Sequence, residues 1–139
     1  MKRLLTLLLL IWFACASEES ESYNNIFNYN GYDSLGGRIN TGALKLIVND
    51  SDISGDWQLT MIGNVENVGS QFGSGSLNGI VTDDNHYLIN LNPMIADDNV
   101  NLEGILTGDS LNGIWNWSTF IGLTNSGTFT GIRLSLIHI

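Results

Sequence analysis

Cysteine occurs once in the 139 residues, as Cys15, and proline once, as Pro93. With no second cysteine, an intramolecular disulfide is excluded, and a redox or zinc function built on paired thiols is excluded with it. Positive charge is also scarce. Lysine and arginine number five against fourteen acidic residues, a formal net charge of −9, and beyond Lys2 and Arg3 the only cations are Arg38, Lys45 and Arg133. Such a surface repels phosphate backbones, which argues against nucleic acid as a partner and against attachment to anionic lipid through a basic patch. Histidine is limited to His86 and His138. His86 follows Asp83 and Asp84 in a turn, and no activated hydroxyl is spaced to make a Ser-His-Asp site with it, so a satisfied surface histidine is expected. No phosphate loop, zinc spacing or dinucleotide fingerprint is present. Neither an enzyme nor a cofactor is expected. The Asp/Asn clusters at 49–52, 83–85 and 97–99 lack EF-hand spacing and suit hairpin turns, so no metal site is assigned.

What the chain does have is glycine, sixteen residues of it, and a repeated phrase. Leu77-Asn78-Gly79-Ile80, Leu102-Glu103-Gly104-Ile105 and Leu111-Asn112-Gly113-Ile114 share the pattern Leu-x-Gly-Ile, with Phe129-Thr130-Gly131-Ile132 as a variant. In a strand, Leu and Gly of this phrase share one face while the polar residue and Ile share the other. Two copies lie back to back across Gly108-Asp109, a pair suited to a two-residue hairpin turn with glycine first. That turn sets a register in which Leu106 faces Leu111, Gly104 faces Gly113, Leu102 faces Trp115 and Val100 faces Trp117. Strand glycines on an inner face mark strong bending, so the expected fold is all-β, a small antiparallel meander barrel of about eight strands, with seven as the alternative.

In chain order, residues 1–14 read as a signal peptide, because Met1-Lys2-Arg3 precedes an apolar run from Leu4 to Ala14 that is shorter than the ~20 residues needed to span a bilayer. Residues 15–22 read as a Ser/Glu-rich tether. Residues 23–40 show neither a period of two nor one of 3.6, and are expected to pack irregularly on the outside of the barrel. Residues 41–133 form the barrel domain. Within it Leu44, Leu46 and Val48 alternate, then Ile53, Gly55, Trp57, Leu59 and Met61 point inward. Val65 to Phe72 is a weak strand candidate, and counting it gives eight. Loops are expected at Pro93 to Asn99 and Ser118 to Ser126. Burial is expected for Trp57, Leu102, Trp115 and Phe129.

The signal resembles that of bacterial lipoproteins, in which a cysteine directly after the apolar run becomes the lipid-modified N-terminus and a polar tether follows. The resemblance implies lipidation at Cys15 and a cell-envelope location, periplasmic or surface-exposed, with the membrane touched only through the anchor. Trp12 stands where that family prefers an aliphatic residue, and cleavage at the small-x-small site Ala14-Cys15-Ala16, giving a secreted protein, is the other reading. At the opposite end, residues 134–139, Leu-Ser-Leu-Ile-His-Ile, resemble the in-frame translation of a sequencing transposon end. They are expected to be adapter read-through.

Gly55-Asp56-Trp57 resembles the Gly-x-Trp signature of the lipocalins and their calycin relatives. The resemblance implies a ligand-binding barrel in which an arginine from a late strand packs across the tryptophan, and Arg133 is the candidate here. Parity of a meander puts the 93–99 and 118–126 loops at one end of the barrel, where Met94, Ile95, Phe120, Ile121 and Leu123 would ring a mouth above Trp57, Trp115 and Trp117. The candidate ligand site is therefore Trp57, Trp115, Trp117, Met94, Phe120 and Leu123, and the candidate ligand a small apolar molecule. The alternative is a barrel filled by its own side chains, acting as an envelope scaffold or an inhibitor that offers its rim loops to a protein. Outside, Ile47, Ile80, Ile105, Ile114 and Ile132 form a belt that the 23–40 segment is expected to cover.

Overall fold

A computed structural model describes residues 25–135. Eight strands follow one another: β1 (Asn25–Tyr32), β2 (Arg38–Asn49), β3 (Asp52–Met61), β4 (Gly73–Thr82), β5 (His86–Asn90), β6 (Asn99–Thr107), β7 (Ser110–Thr119) and β8 (Gly122–Arg133). Each pairs antiparallel with the next, and β8 pairs with β1 to close the barrel. Closure removes every exposed sheet edge, which matters for a chain whose strands are this rich in apolar residues.

The turns follow from the residues at them. Gly108 takes φ 59° at the first position of the β6–β7 turn, and the ladder beyond it pairs Leu106 with Leu111, Gly104 with Gly113, Leu102 with Trp115 and Val100 with Trp117. Asp50 turns β2 into β3 at φ 55°. A 3-10 turn at Asp83–Asn85 joins β4 to β5, with Asp84 and Asn85 left-handed, a conformation that Asp and Asn tolerate better than most residues. Between β1 and β2, the Asp33 carboxylate accepts the Leu35 and Gly37 N–H groups at 2.9 and 2.8 Å. Three short turns thus lie at one end. The other end carries the β1–β2 turn, the long 62–72 and 91–98 connections, and the tip of the β7–β8 hairpin.

Two expectations are corrected here. The described part of the 23–40 segment is not an irregular cover: Asn25–Tyr32 is a barrel strand, and β2 already begins at Arg38. Phe27, Tyr29 and Gly31 do alternate inward, against outward Asn28 and Asn30, but asparagine is a poor strand former and glycine holds one inward position, so the pattern is faint. The 65–72 stretch, conversely, is not a strand. Eight strands are reached with β1 in its place. The outer isoleucines therefore have no cover among the described residues, and Ile80, Ile105, Ile114 and Ile132 are exposed.

The core is built from aromatic rings set against glycine. A side-chain carbon on Gly75 would stand 3.0 Å from the Trp57 ring nitrogen, one on Gly127 would run 2.6 Å from that of Trp115, and one on Gly104 would meet the edge of Phe129 at 2.8 Å. The glycine gap across β6 and β7 is thus filled from β8. Trp57, Leu102, Trp115 and Phe129 are all buried, with Phe27, Tyr29, Leu44, Leu59 and Leu111 around them, whereas Met61 at the end of β3 is exposed. Tyr29 stacks on Phe129, their centroids 5.4 Å apart.

Candidate functional site

The end of the barrel expected to be an open mouth is stoppered. The connection between β3 and β4 crosses it and sends Val68 and Gln71 inward, both buried. Asn40 on β2 donates through Nδ2 to the Gln71 carbonyl at 3.0 Å and to Gln71 Oε1 at 3.2 Å. Gln71 Nε2 in turn donates to the Val68 carbonyl at 2.7 Å. From the neighbouring 91–98 connection Asn92 Nδ2 donates to the Ser70 carbonyl at 3.0 Å, and from β8, across the barrel, Asn125 Nδ2 donates to the Asn67 carbonyl at 2.8 Å. The Ser70 hydroxyl binds Asp98. Gly69, at φ 72°, lets the backbone pass so close to the Trp117 indole that a side chain there would overlap the ring. Buried backbone groups of a crossing loop must find partners, and here Asn40, Asn92 and Gln71 supply them, with Asn125 tying the loop at the surface.

The six residues assigned to a ligand site are accordingly not gathered around a cavity. Trp115 is fully buried and its Nε1 donates to the Tyr32 carbonyl at 2.7 Å. Trp57 donates to the Leu91 carbonyl at 2.7 Å. Trp117 lies beneath Gly69 and donates to Asp98 Oδ1 at 2.7 Å. Met94, Phe120 and Leu123 remain on the outside, 92%, 84% and 65% exposed. The 118–126 loop is itself a strand pair, with β7 running to Thr119, β8 starting at Gly122 and only Phe120 and Ile121 between them. The rim is therefore an apolar tip beside the 91–98 loop, since Asn99 pairs with Ser118, and not the lip of an opening. Cys15 lies outside the described residues.

Arg133 does not pack across Trp57. Its guanidinium carbon stands 5.4 Å over the Phe27 ring and its Nη1 is 3.6 Å from Asp109 Oδ1, at the end of the barrel with the short turns. Trp57 hydrogen-bonds toward the stoppered end, so the strand lengths keep the two apart. His86 Nε2 lies 3.2 Å from Glu103 Oε1 on the outer face. Among the described residues, no three His, Cys, Asp or Glu side chains are grouped to hold a metal ion.

No family model, curated protein or solved structure matches this chain. Its chemistry must be read from its own surfaces. Two depressions are pronounced, and both open on the outer wall. One, of about 620 Å³, runs from the start of β3 across β4, β5 and β6 to β7 and includes Asn78, Ile80, Leu88, Asn90, Asn101 and Asn116. The other, of about 380 Å³, lies over β2 to β4 and is bordered by Lys45, Asp56, Gln58, Ser74 and Ser76. Neither is bordered by Met94, Phe120 or Leu123.

Among the described residues three buried side-chain polar atoms have no partner, Arg133 Nε and, inside the barrel, Tyr29 Oη and Asn40 Oδ1. Gly31 borders both side chains: an added carbon there would overlap Asn40 Oδ1 and stand 3.3 Å from the Tyr29 ring. Burial alone pushes the Tyr29 hydroxyl far above its ordinary range. Below pH about 10 both folded and unfolded chains keep this proton; above it the unfolded chain ionises and the folded one does not, so stability falls as pH rises. Tyr29→Phe is expected to remove both this loss and the unpaired hydroxyl, gaining about 1 kcal/mol at neutral pH. Urea titrations at neutral pH and at about pH 11 would check it; a variant less stable than the parent at both would show that the hydroxyl has a partner.

Proposed function

We propose that this protein is an extracytoplasmic, lipid-anchored, lipocalin-like barrel whose interior is structural and which acts from its outside, as an envelope scaffold or protein-interaction module. The observation that carries the reading is the stopper: a ligand entering from the rim would have to displace Val68 and Gln71 and break the bonds from Asn40, Asn92 and Asn125. The apolar interior is occupied by the protein's own rings. On this reading Met94, Phe120, Ile121 and Leu123 are contact residues for a protein partner, since a large exposed aromatic flanked by aliphatics is the usual anchor of such an interface.

The deciding experiment uses the tryptophans as reporters. Titrating the protein with fatty acids, a retinoid and haem is expected to leave fluorescence unchanged in each case. Saturable quenching or a spectral shift with any of them would restore the small-ligand reading, with Trp57, Trp115 and Trp117 as its contacts. The anchor is tested separately. Cys15→Ser in the full precursor, expressed in a bacterium, is expected to move the protein out of the membrane fraction, and the parent's processing is expected to be sensitive to globomycin. Membrane retention of the variant, with an insensitive parent, would overturn the lipoprotein reading.

A further inference from the structure

Strand register lines up four asparagines on the outer wall. Asn78 on β4 pairs with Asn90 on β5, Asn90 with Asn101 on β6, and Asn101 with Asn116 on β7. Neighbouring strands are ~4.8 Å apart, so the four amides form a row roughly 14 Å long. Beside it runs a second row with a different composition: Asp52 pairs with Ile80, Ile80 with Leu88, and Leu88 with Glu103. It is a short aliphatic shelf with a carboxylate at each end. Both rows line the 620 Å³ groove.

We infer that this groove binds a linear, neutral, polyhydroxylated chain, that is, an uncharged glycan. Each amide offers two donors and an acceptor with two lone pairs, which suits hydroxyls that need both. Among the described residues the side chains of Asn78, Asn101 and Asn116 make no hydrogen bond, whereas Asn90 Oδ1 is engaged by the Asn92 N–H at 2.8 Å. The amides repeat at the strand spacing, close to the advance of one sugar ring in an extended glycan. A peptide advancing ~3.3 Å per residue falls out of step with them. Charge narrows the partner further: Asp52 and Glu103 line the groove and no lysine or arginine does, so acidic glycans and phosphorylated polymers are repelled. Ile80 and Leu88 present the apolar surface that the C–H face of a sugar ring can cover, and the carboxylates can each accept two hydroxyls. This surface lies on the barrel wall and does not depend on the rim being a protein contact.

The test is affinity electrophoresis of the intact protein through gels containing hydroxyethylcellulose or galactomannan, with polygalacturonate as the charged control. Retardation by a neutral polymer and not by the anionic one is expected, and Asn78→Ala with Asn101→Ala is expected to weaken it about tenfold with the melting temperature unchanged. If that pair of substitutions lowers the melting temperature, the parent alone decides: the side-chain amide NMR signals of Asn78, Asn101 and Asn116 are expected to move on adding cellohexaose or mannohexaose, while that of Asn112, outside the groove, stays. Absence of retardation in both neutral gels, undiminished retardation of a folded variant, stronger retardation by polygalacturonate, or unmoved amide signals would each overturn the inference.

Discussion

Trp115→Ala is expected to destabilise the protein by about 3 to 5 kcal/mol, the range for removing a large buried aromatic. Three observations place it there. The side chain is fully buried, so the transfer free energy of the whole indole is lost. Its nearest filler is absent by construction, because Gly127 contributes no side chain to collapse into the void. The Tyr32 carbonyl, which accepts the Trp115 Nε1–H at 2.7 Å, also loses that donor, adding to the loss. Set against a total stability of about 5 to 15 kcal/mol, such a loss is a large fraction of the whole. Trp117→Ala is a useful contrast. Trp117 is only partly buried against the core, and its removal frees Asp98 and the Gly69 contact without hollowing the barrel, so a smaller loss is expected. Urea unfolding followed by circular dichroism would measure both. Equal losses for the two, or a loss under about 1 kcal/mol for Trp115→Ala, would contradict the packing described.

How much of this was readable in the residues depended on whether a local feature fixed the geometry. The β6–β7 register was legible because Gly108-Asp109 admits one turn and the flanking Leu-x-Gly-Ile phrases then fall opposite each other. The closed meander followed from glycine on the inner faces. β1 was hidden because asparagine occupies two of its outward positions and its inward Gly31 breaks the apolar alternation; its pairing with β2 and with Thr128 to Arg133 on β8 identifies it. The stopper was invisible for another reason. Its bonds join Asn40 to Gln71, Asn92 to Ser70 and Asn125 to Asn67, partners far apart in the chain, and nothing in a glycine-rich connection foretells them. Without it, the apolar rim and the tryptophans below looked like an open mouth. The amide row shows the same limit. Each asparagine sits at an outward strand position that alternation identifies, but their alignment needs the registers across the Asp83–Asn85 turn and the 91–98 loop, and neither connection is regular enough to give them.

The inner glycines should respond to substitution in a graded way that tracks space, not sequence pattern. At Gly113 a side-chain carbon would overlap the Glu103 carbonyl oxygen and lie 2.5 Å from the Gly104 backbone. Both belong to the paired strand, so neither can withdraw without opening the β6–β7 ladder. Gly113→Ala is therefore expected to cost about 3 kcal/mol or more, and Gly113→Val to prevent folding. At Gly104 the nearest obstacles are the Phe129 ring edge at 2.8 Å and the Asn112 carbonyl at 3.0 Å. The ring can tilt by a few tenths of an ångström, so an intermediate loss is expected for alanine. Gly131 occupies the same place in its own phrase, yet its nearest neighbours are the Leu111 carbonyl at 3.4 Å and Phe27 carbons at 3.6 Å, ordinary contact distances. There Gly→Ala is expected to stay within about 1 kcal/mol of the parent, since the gain in chain stiffness offsets the slight crowding. The order Gly113, Gly104, Gly131 in thermal melts is thus the expected result, and a Gly113→Ala variant as stable as Gly131→Ala would mean that β6 and β7 do not approach as closely as the Gly104–Gly113 pairing requires.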